Sequence, residues 1–248
     1  MVDKDRLLEA RARAFIDASE RGGIGTLSEK MLHKTLKYYF EPDERNHEVE
    51  YLGSVADILN EDGIIEIQTR SFDKLIPKLE KFLPEKRVTV VYPIIERKSI
   101  CRIDLETGES LPPRKSSKKG RATDALAEIA MIRRFIPCNN LRIFLVFLDA
   151  EETRMLTRIK KVGRHKTDKI DCAPTSINRI LELCNARDFA LLLPKKLPSE
   201  FTASEFEGLS RIHSIGLHNS LMFLMQMGIL AREKRGGRAY IYTINALN

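Results

Sequence analysis

The 248-residue sequence predicts an α/β fold of the mixed α+β kind: helix, three strands, helix, strand, and later a helix–turn–helix–hairpin tail. Three observations carry that expectation. Apolar residues recur at helical spacing over 28–40 and 71–83. Alternating or β-branched runs fill 47–52, 55–59, 64–67 and 87–92. Residues 203–227 return to helical spacing before the chain alternates again to its end.

Residues 4–21 carry Leu7, Leu8, Ala14 and Phe15 as a partial apolar stripe and end at Gly22-Gly23, which predicts an N-terminal helix. Ser28 is placed to cap a second helix that reaches Phe40, with Leu32, Leu36 and Tyr39 on one face and Pro42 just past its end. His47–Leu52 alternates. Val55–Leu59 and Ile64–Ile67 are short apolar runs joined by the turn residues Glu61-Asp62-Gly63. Ser71 is expected to cap a helix whose buried face is Phe72, Leu75, Ile76, Leu79, Phe82 and Leu83, and Arg87–Tyr92 reads as a buried strand.

Further on, Ser99–Asp104 and Glu109–Leu111 predict a hairpin, 123–136 a helix, and the apolar run Leu141–Leu148 a central strand. Residues 151–170 are expected as a basic hairpin or extended pair, and Ser176–Asn185 as a helix. In the tail, Ala203–Leu209, a turn at His213–Gly216 and Leu217–Met227 are followed by strands Ile229–Lys234 and Arg238–Ile244 around Gly236-Gly237. Helix, turn, helix and two-stranded wing is winged helix-turn-helix architecture. The expected division is therefore an α/β domain over 1–175, with its N-terminal helix, and a winged-helix domain over 176–248.

Bulk properties narrow the function classes. A hydrophobic fraction of 43% indicates a globular body, and no run approaches the roughly 18 apolar residues of a membrane span. The first residues lack a secretory pattern, and the four cysteines show no C-x-x-C pair, so a reduced, cytoplasmic setting is expected. Net charge is +7, concentrated in two blocks: five cations and no anion over 114–121, and seven cations against Asp168 over 154–169. Clustered Lys and Arg gain affinity for phosphate chains by releasing condensed counterions, whereas the bland alternative is a pair of solvated loops.

Two carboxylates stand inside predicted strands, Asp57 and Glu66. A carboxylate buried without a partner costs several kcal/mol. On neighbouring antiparallel strands the two can face the same way, and a divalent cation between them removes the repulsion. Gln68 follows Glu66 at the strand period and shares its face. One or two Mg²⁺ (or Mn²⁺) ions held there can polarise a phosphodiester and activate water. Solvated carboxylates on an exposed face are the alternative.

Residues 28–92, with Asp57, Glu66 and Gln68, resemble the PD-(D/E)xK nuclease superfamily, restriction-endonuclease-like phosphodiesterases with an α-β-β-β-α-β core. The resemblance implies that Asp57 and Glu66 are the metal ligands and that Gln68 stands where lysine is usual, positioning water. It further implies a glutamate on the preceding helix, for which Glu29 is the candidate, with His33 one turn later and Glu48 or Glu50 as less secure additions. The whole chain is similar to an uncharacterised bacterial family that joins such a core to a basic Ser117-Lys118-Lys119-Gly120-Arg121 segment and a C-terminal winged helix. The expectation is a metal-dependent nuclease acting on duplex DNA, gripped by Lys115, Lys118, Lys119 and Arg121 and, at the wing, by Arg235 and Arg238. Helix 217–227 is poor in cations, its exposed polar residues being His218, Asn219 and Gln226. Two alternatives stay open: a non-catalytic DNA-binding or regulatory protein on a decayed nuclease scaffold, and a nuclease for RNA. No membrane partner is expected, and a homodimer is left open.

Overall fold

Alternating and β-branched runs become one large sheet in a computed structural model that describes residues 2–20, 31–159, 164–234 and 240–246. Two helices come first, α1 (Lys4–Glu20) and α2 (Met31–Phe40). They are followed by β1 (His47–Tyr51), β2 (Ser54–Asn60) and β3 (Gly63–Ile67), which form an antiparallel meander. A 3-10 turn and α3 (Ile76–Phe82) then cross over to β4 (Val88–Asp104), which runs parallel to β3 with Glu66 opposite Val90. The helix–three strands–helix–strand order expected from the sequence is present.

The sheet continues beyond it. β5 (Ser110–Lys115) pairs back on β4 as the expected hairpin. A helix expected over 123–136 is shorter, α4 (Leu126–Met131) flanked by two 3-10 turns. β6 (Leu141–Ile159) is parallel to β4, and β7 (Arg164–Leu183) is antiparallel to β6, giving the order β1-β2-β3-β4-β6-β7. The expected basic pair over 151–170 is the outer part of β6 and β7.

Two expectations fail for identifiable reasons. Ser176–Asn185 is not a helix; its residues to Leu183 are the second half of β7, with Val146 opposite Ile180 and Ile143 opposite Leu183. The buried apolar first half of β6, Ile143–Leu148, would otherwise leave unpaired backbone groups along one edge, and that cost exceeds a weak local helical pattern. Asn185 instead caps α5 (Ala186–Ala190) in a reciprocal capping box with Asp188. The expected boundary at 175/176 therefore falls inside a strand, and the chain leaves the large sheet only after Leu183. Ser71 does not cap a helix with its side chain either; it sits at φ 61°, and the Phe72 N–H donates to Glu128 of α4 at 2.9 Å.

Each face of the sheet is covered. Leu7, Ala10 and Ala14 of α1 and Leu32, Leu36 and Tyr39 of α2 pack on Ile58, Ile67, Val91 and Val146. The opposite face, with Ile64, Val88, Val90 and Leu145, receives α3, α4 and the tail in one continuous apolar cluster. The tail comprises β8 (Glu200–Thr202), α6 (Ala203–Ser210), α7 (Ser214–Gln226), β9 (Leu230–Lys234) and β10 (Tyr240–Ile244), its three strands ordered β8-β10-β9. Thr202 and Glu205 form a reciprocal capping box at the start of α6. Arg235, Gly236, Gly237 and Arg238 lie outside the described residues. Among the described residues no helix is long and apolar enough to cross a membrane.

Gly63 starts β3 at φ +126°, and a Cβ there would meet the Arg87 carbonyl oxygen at 2.4 Å. That oxygen also accepts the Ile64 N–H at 2.9 Å, so it cannot retreat without breaking the β3–β4 pairing. Gly63→Ala should destabilise the chain by about 2–4 kcal/mol, read as a lower urea midpoint at unchanged m-value.

Candidate active site

β2 and β3 pair from Asn60–Gly63 as far as Ile58–Ile65 and then part. Asp57 sits where the ladder stops. Its Oδ2 accepts the Ile67 N–H at 2.7 Å, taking over a bond the strand partner no longer makes. From α2, His33 Nε2 approaches the same oxygen at 3.2 Å. Burial works to raise the Asp57 pKa, but the His33 hydrogen bond and charge, the Ile67 N–H and Lys78 together hold it below the usual carboxylate range.

Glu66 is buried, 2% exposed, on the sheet face covered by α3. Its Oε2 takes the Lys78 ammonium of α3 at 2.7 Å, while Oε1 is buried with no hydrogen-bond partner. Burial first and the neighbouring Asp57 charge second push its pKa up to about 7, against the opposing pull of Lys78. The site thus holds two neighbouring carboxylates with pKa values driven in opposite directions, the pattern expected of groups assigned different tasks. A buried acceptor without a donor is also what a cation would satisfy.

Lys78 was not among the residues singled out from the sequence, although a signal was there. In the stripe Leu75, Lys78, Leu79, Phe82, a lysine interrupts the buried side of the helix that directly follows Glu66. Gln68 has a different role from the one expected: its Nε2 donates to the carbonyls of Arg70 at 2.6 Å and Ser71 at 2.9 Å. That bracing of the left-handed turn at Ser71 leaves only the amide oxygen for other contacts. Glu48 lies between the His47–Ile58 and Val49–Ala56 pairs, opposite Asp57, but Lys37 holds it at 2.7 Å. Glu50 is exposed. Glu29 lies outside the described residues. Among the described residues no three His, Cys, Asp or Glu side chains gather into a metal-holding group.

The expected grip residues divide. Lys115, Lys118 and Lys119 are exposed. Arg121 is instead a brace, donating to the carbonyls of Leu209 at 3.2 Å and Ser210 at 2.7 Å while paired with Asp124 at 3.0 Å. Helix α7 is seated on α4: Asn219 Oδ1 accepts from Arg133 at 3.2 Å, and Gln226 donates to the Arg133 carbonyl at 3.5 Å. Of the three polar residues expected to be exposed on this helix, Asn219 is half-buried and bonded to Arg133, while Gln226 stays exposed but also reaches Arg133. His218 stays exposed beside Ile215 and Met222.

Comparison with known proteins finds a relative in Treponema pallidum (strain Nichols), an uncharacterized protein 31% identical over 223 residues, covering 88% of this chain and 86% of the relative. The shared stretch is long enough to take in part of both the large sheet and the tail. No solved structure matches. Residues 30–184, from just before α2 to the end of β7, match the model of DUF8091, a domain of unknown function, and the chain belongs to that family.

Proposed function

We propose that this chain is a divalent-metal-dependent nuclease of the PD-(D/E)xK type that hydrolyses phosphodiester bonds in DNA. The observation that carries the reading is Glu66: a buried carboxylate with one oxygen unpartnered, beside a second carboxylate, at the point where two strands part. The helix–three strands–helix–strand order around it supports the same assignment. Asp57 and Glu66 would hold Mg²⁺ or Mn²⁺, which supplies Lewis-acid polarisation of the phosphodiester and a more acidic water. The chain's own residues do the rest. His33 and the Ile67 N–H fix the Asp57 carboxylate, and Lys78 places a cation beside Glu66 where Gln68 offers none. The tail, read as a winged helix, presents α7 to α4, so its contribution to binding comes from other surfaces.

A second reading, a binding protein on a decayed nuclease scaffold, draws on the engaged amide of Gln68 and on the absence, among the described residues, of a third metal-ligating side chain. The test incubates supercoiled plasmid and a structured RNA of equal length with the chain in Mn²⁺, Mg²⁺ or EDTA at low salt. Metal-dependent cleavage of the plasmid is expected; preferential cleavage of the RNA would move the substrate class. No cleavage of either, with no Mn²⁺ binding by calorimetry, would establish the decayed scaffold. Lys78→Met should slow cleavage by roughly 10²-fold, the scale for losing one preorganised electrostatic contact, and leave oligonucleotide affinity in EDTA unchanged.

A further inference from the structure

The sheet face that carries Glu66 opposite Val90 continues along β4 into a cleft of about 750 Å³. Its floor is Tyr92–Ile95, one wall is the Ser117–Arg121 segment, and Arg211 of the tail stands opposite. The wall is pinned. Gly120 donates its N–H to the Ile95 carbonyl at 2.8 Å, and a Cβ at that position would lie 2.7 Å from the same oxygen. Only glycine lets the segment lie this close to the strand, which fixes where Lys118 and Lys119 emerge. The opposite side is pinned too, because the Arg121 bonds to Leu209 and Ser210 tie the end of α6 to the loop. Arg211, the next residue, holds a left-handed conformation at φ 63°.

The cleft's cations fall into two groups. Lys98 is paired at 2.6 Å with the buried Glu152, which Arg154 and Lys169 share, and Arg121 with Asp124 at 3.0 Å. Among the described residues, Lys118, Lys119 and Arg211 make no ion pair, and the one carboxylate in the lining, Asp124, is taken by Arg121. Three uncompensated cations around a backbone-pinned cleft match the repeated charge of a phosphate chain. Tyr92 is two residues beyond Val90, so the cleft begins about 7 Å along the strand from the residue paired with Glu66.

We propose that this cleft holds the phosphates of one nucleic-acid strand immediately beside the reacting phosphodiester, Lys118 and Lys119 on one side and Arg211 on the other. The inference rests on the nucleic-acid reading above and deepens it. The tail meets the substrate through the end of α6, not through α7, which is seated on α4. Contacts to phosphate alone carry no sequence information, so this site sets the path of the strand and not its sequence.

The test is fluorescence anisotropy with labelled single-stranded and duplex oligonucleotides, using the full chain in EDTA over a salt series. Lys118→Gln with Lys119→Gln and Arg211→Gln is compared with a charge-matched control, Arg187→Gln with Lys195→Gln and Lys196→Gln. The cleft variant should flatten the log K against log salt slope by about 2 to 3 and lose at least tenfold affinity near 0.1 M salt, taking about 0.7–0.9 per lost contact. Lys118→Gln alone should flatten it by about 0.7–0.9, which keeps the test valid if the triple variant melts early. The control should change neither slope nor affinity. Equal losses in both variants, or none in the cleft variant, would overturn the proposal, as would full displacement of the oligonucleotide by millimolar inorganic phosphate at constant ionic strength. EDTA separates this outcome from catalysis. A chain that binds through the cleft yet never cleaves with Mn²⁺ sinks the nuclease reading alone. One that cleaves with an unaltered salt slope sinks the cleft alone.

Discussion

Asp57→Asn should abolish metal-dependent cleavage, by about 10³-fold or more, while binding to an oligonucleotide in EDTA stays within a factor of two. A bound metal contributes several kcal/mol to a phosphoryl transition state, and each 1.4 kcal/mol is tenfold in rate. The substitution is close to isosteric and retains an oxygen that can accept the Ile67 N–H, so the parting of β2 and β3 survives. What it removes is the negative charge. That loss should be visible at a second place: without the Asp57 charge, the Glu66 pKa falls back toward the ordinary carboxylate range, because that charge is the second-largest cause raising it. Residual cleavage equal to wild type would show that the activity lies elsewhere.

Glu66→Gln is expected to inactivate the protein and stabilise it, with the stability gain confined to neutral and alkaline pH. The folded-state pKa of Glu66 is raised from 4.5 to about 7. A carboxylate raised in this way contributes fully to stability below its unfolded value and loses that contribution as pH rises through the folded one. In metal-free wild type this residue should therefore cost on the order of 3 kcal/mol at pH 8 relative to pH 5, at about 1.4 kcal/mol per pKa unit. Asp57 is shifted the other way, so its contribution is lost only in acid and does not mask the effect. The variant should match wild type at pH 5 and exceed it at pH 8. The partner left behind, Lys78, is 28% exposed and remains solvated. Mn²⁺ should close the gap at pH 8 by stabilising wild type alone, since metal binding replaces the missing partner of Oε1. Identical pH dependence in the two proteins, measured by urea unfolding with EDTA, would rule out Glu66 as the strained member of the pair.

The parts of this architecture that could be read locally are the ones whose physics is local. Alternation placed β1, because side chains on a half-buried strand alternate between two environments, and short apolar or β-branched runs placed β2, β3 and the first half of β4, as expected of strands buried on both faces. Turn chemistry at Asp62-Gly63 placed the hairpin, and helical spacing placed α2, α6 and most of α7. The two strand carboxylates stood out for the same reason: a charge at a buried position conflicts with its surroundings wherever it occurs.

What tertiary structure alone decided was who meets whom. The residues of β7 after Ser176 have a helical look in isolation and are strand because β6 has an open edge to fill. Lys78 enters the site because α3 packs over Glu66, a distance of 12 residues in the chain that no local pattern measures. Arg121 and α7 share a lesson, since each resembles a nucleic-acid contact and each is spent on joining the tail to the body. The sequence by itself determined the elements and marked Asp57 and Glu66; the packing of elements, which depends on surfaces far apart along the chain, determined which charges were left unpaired to act.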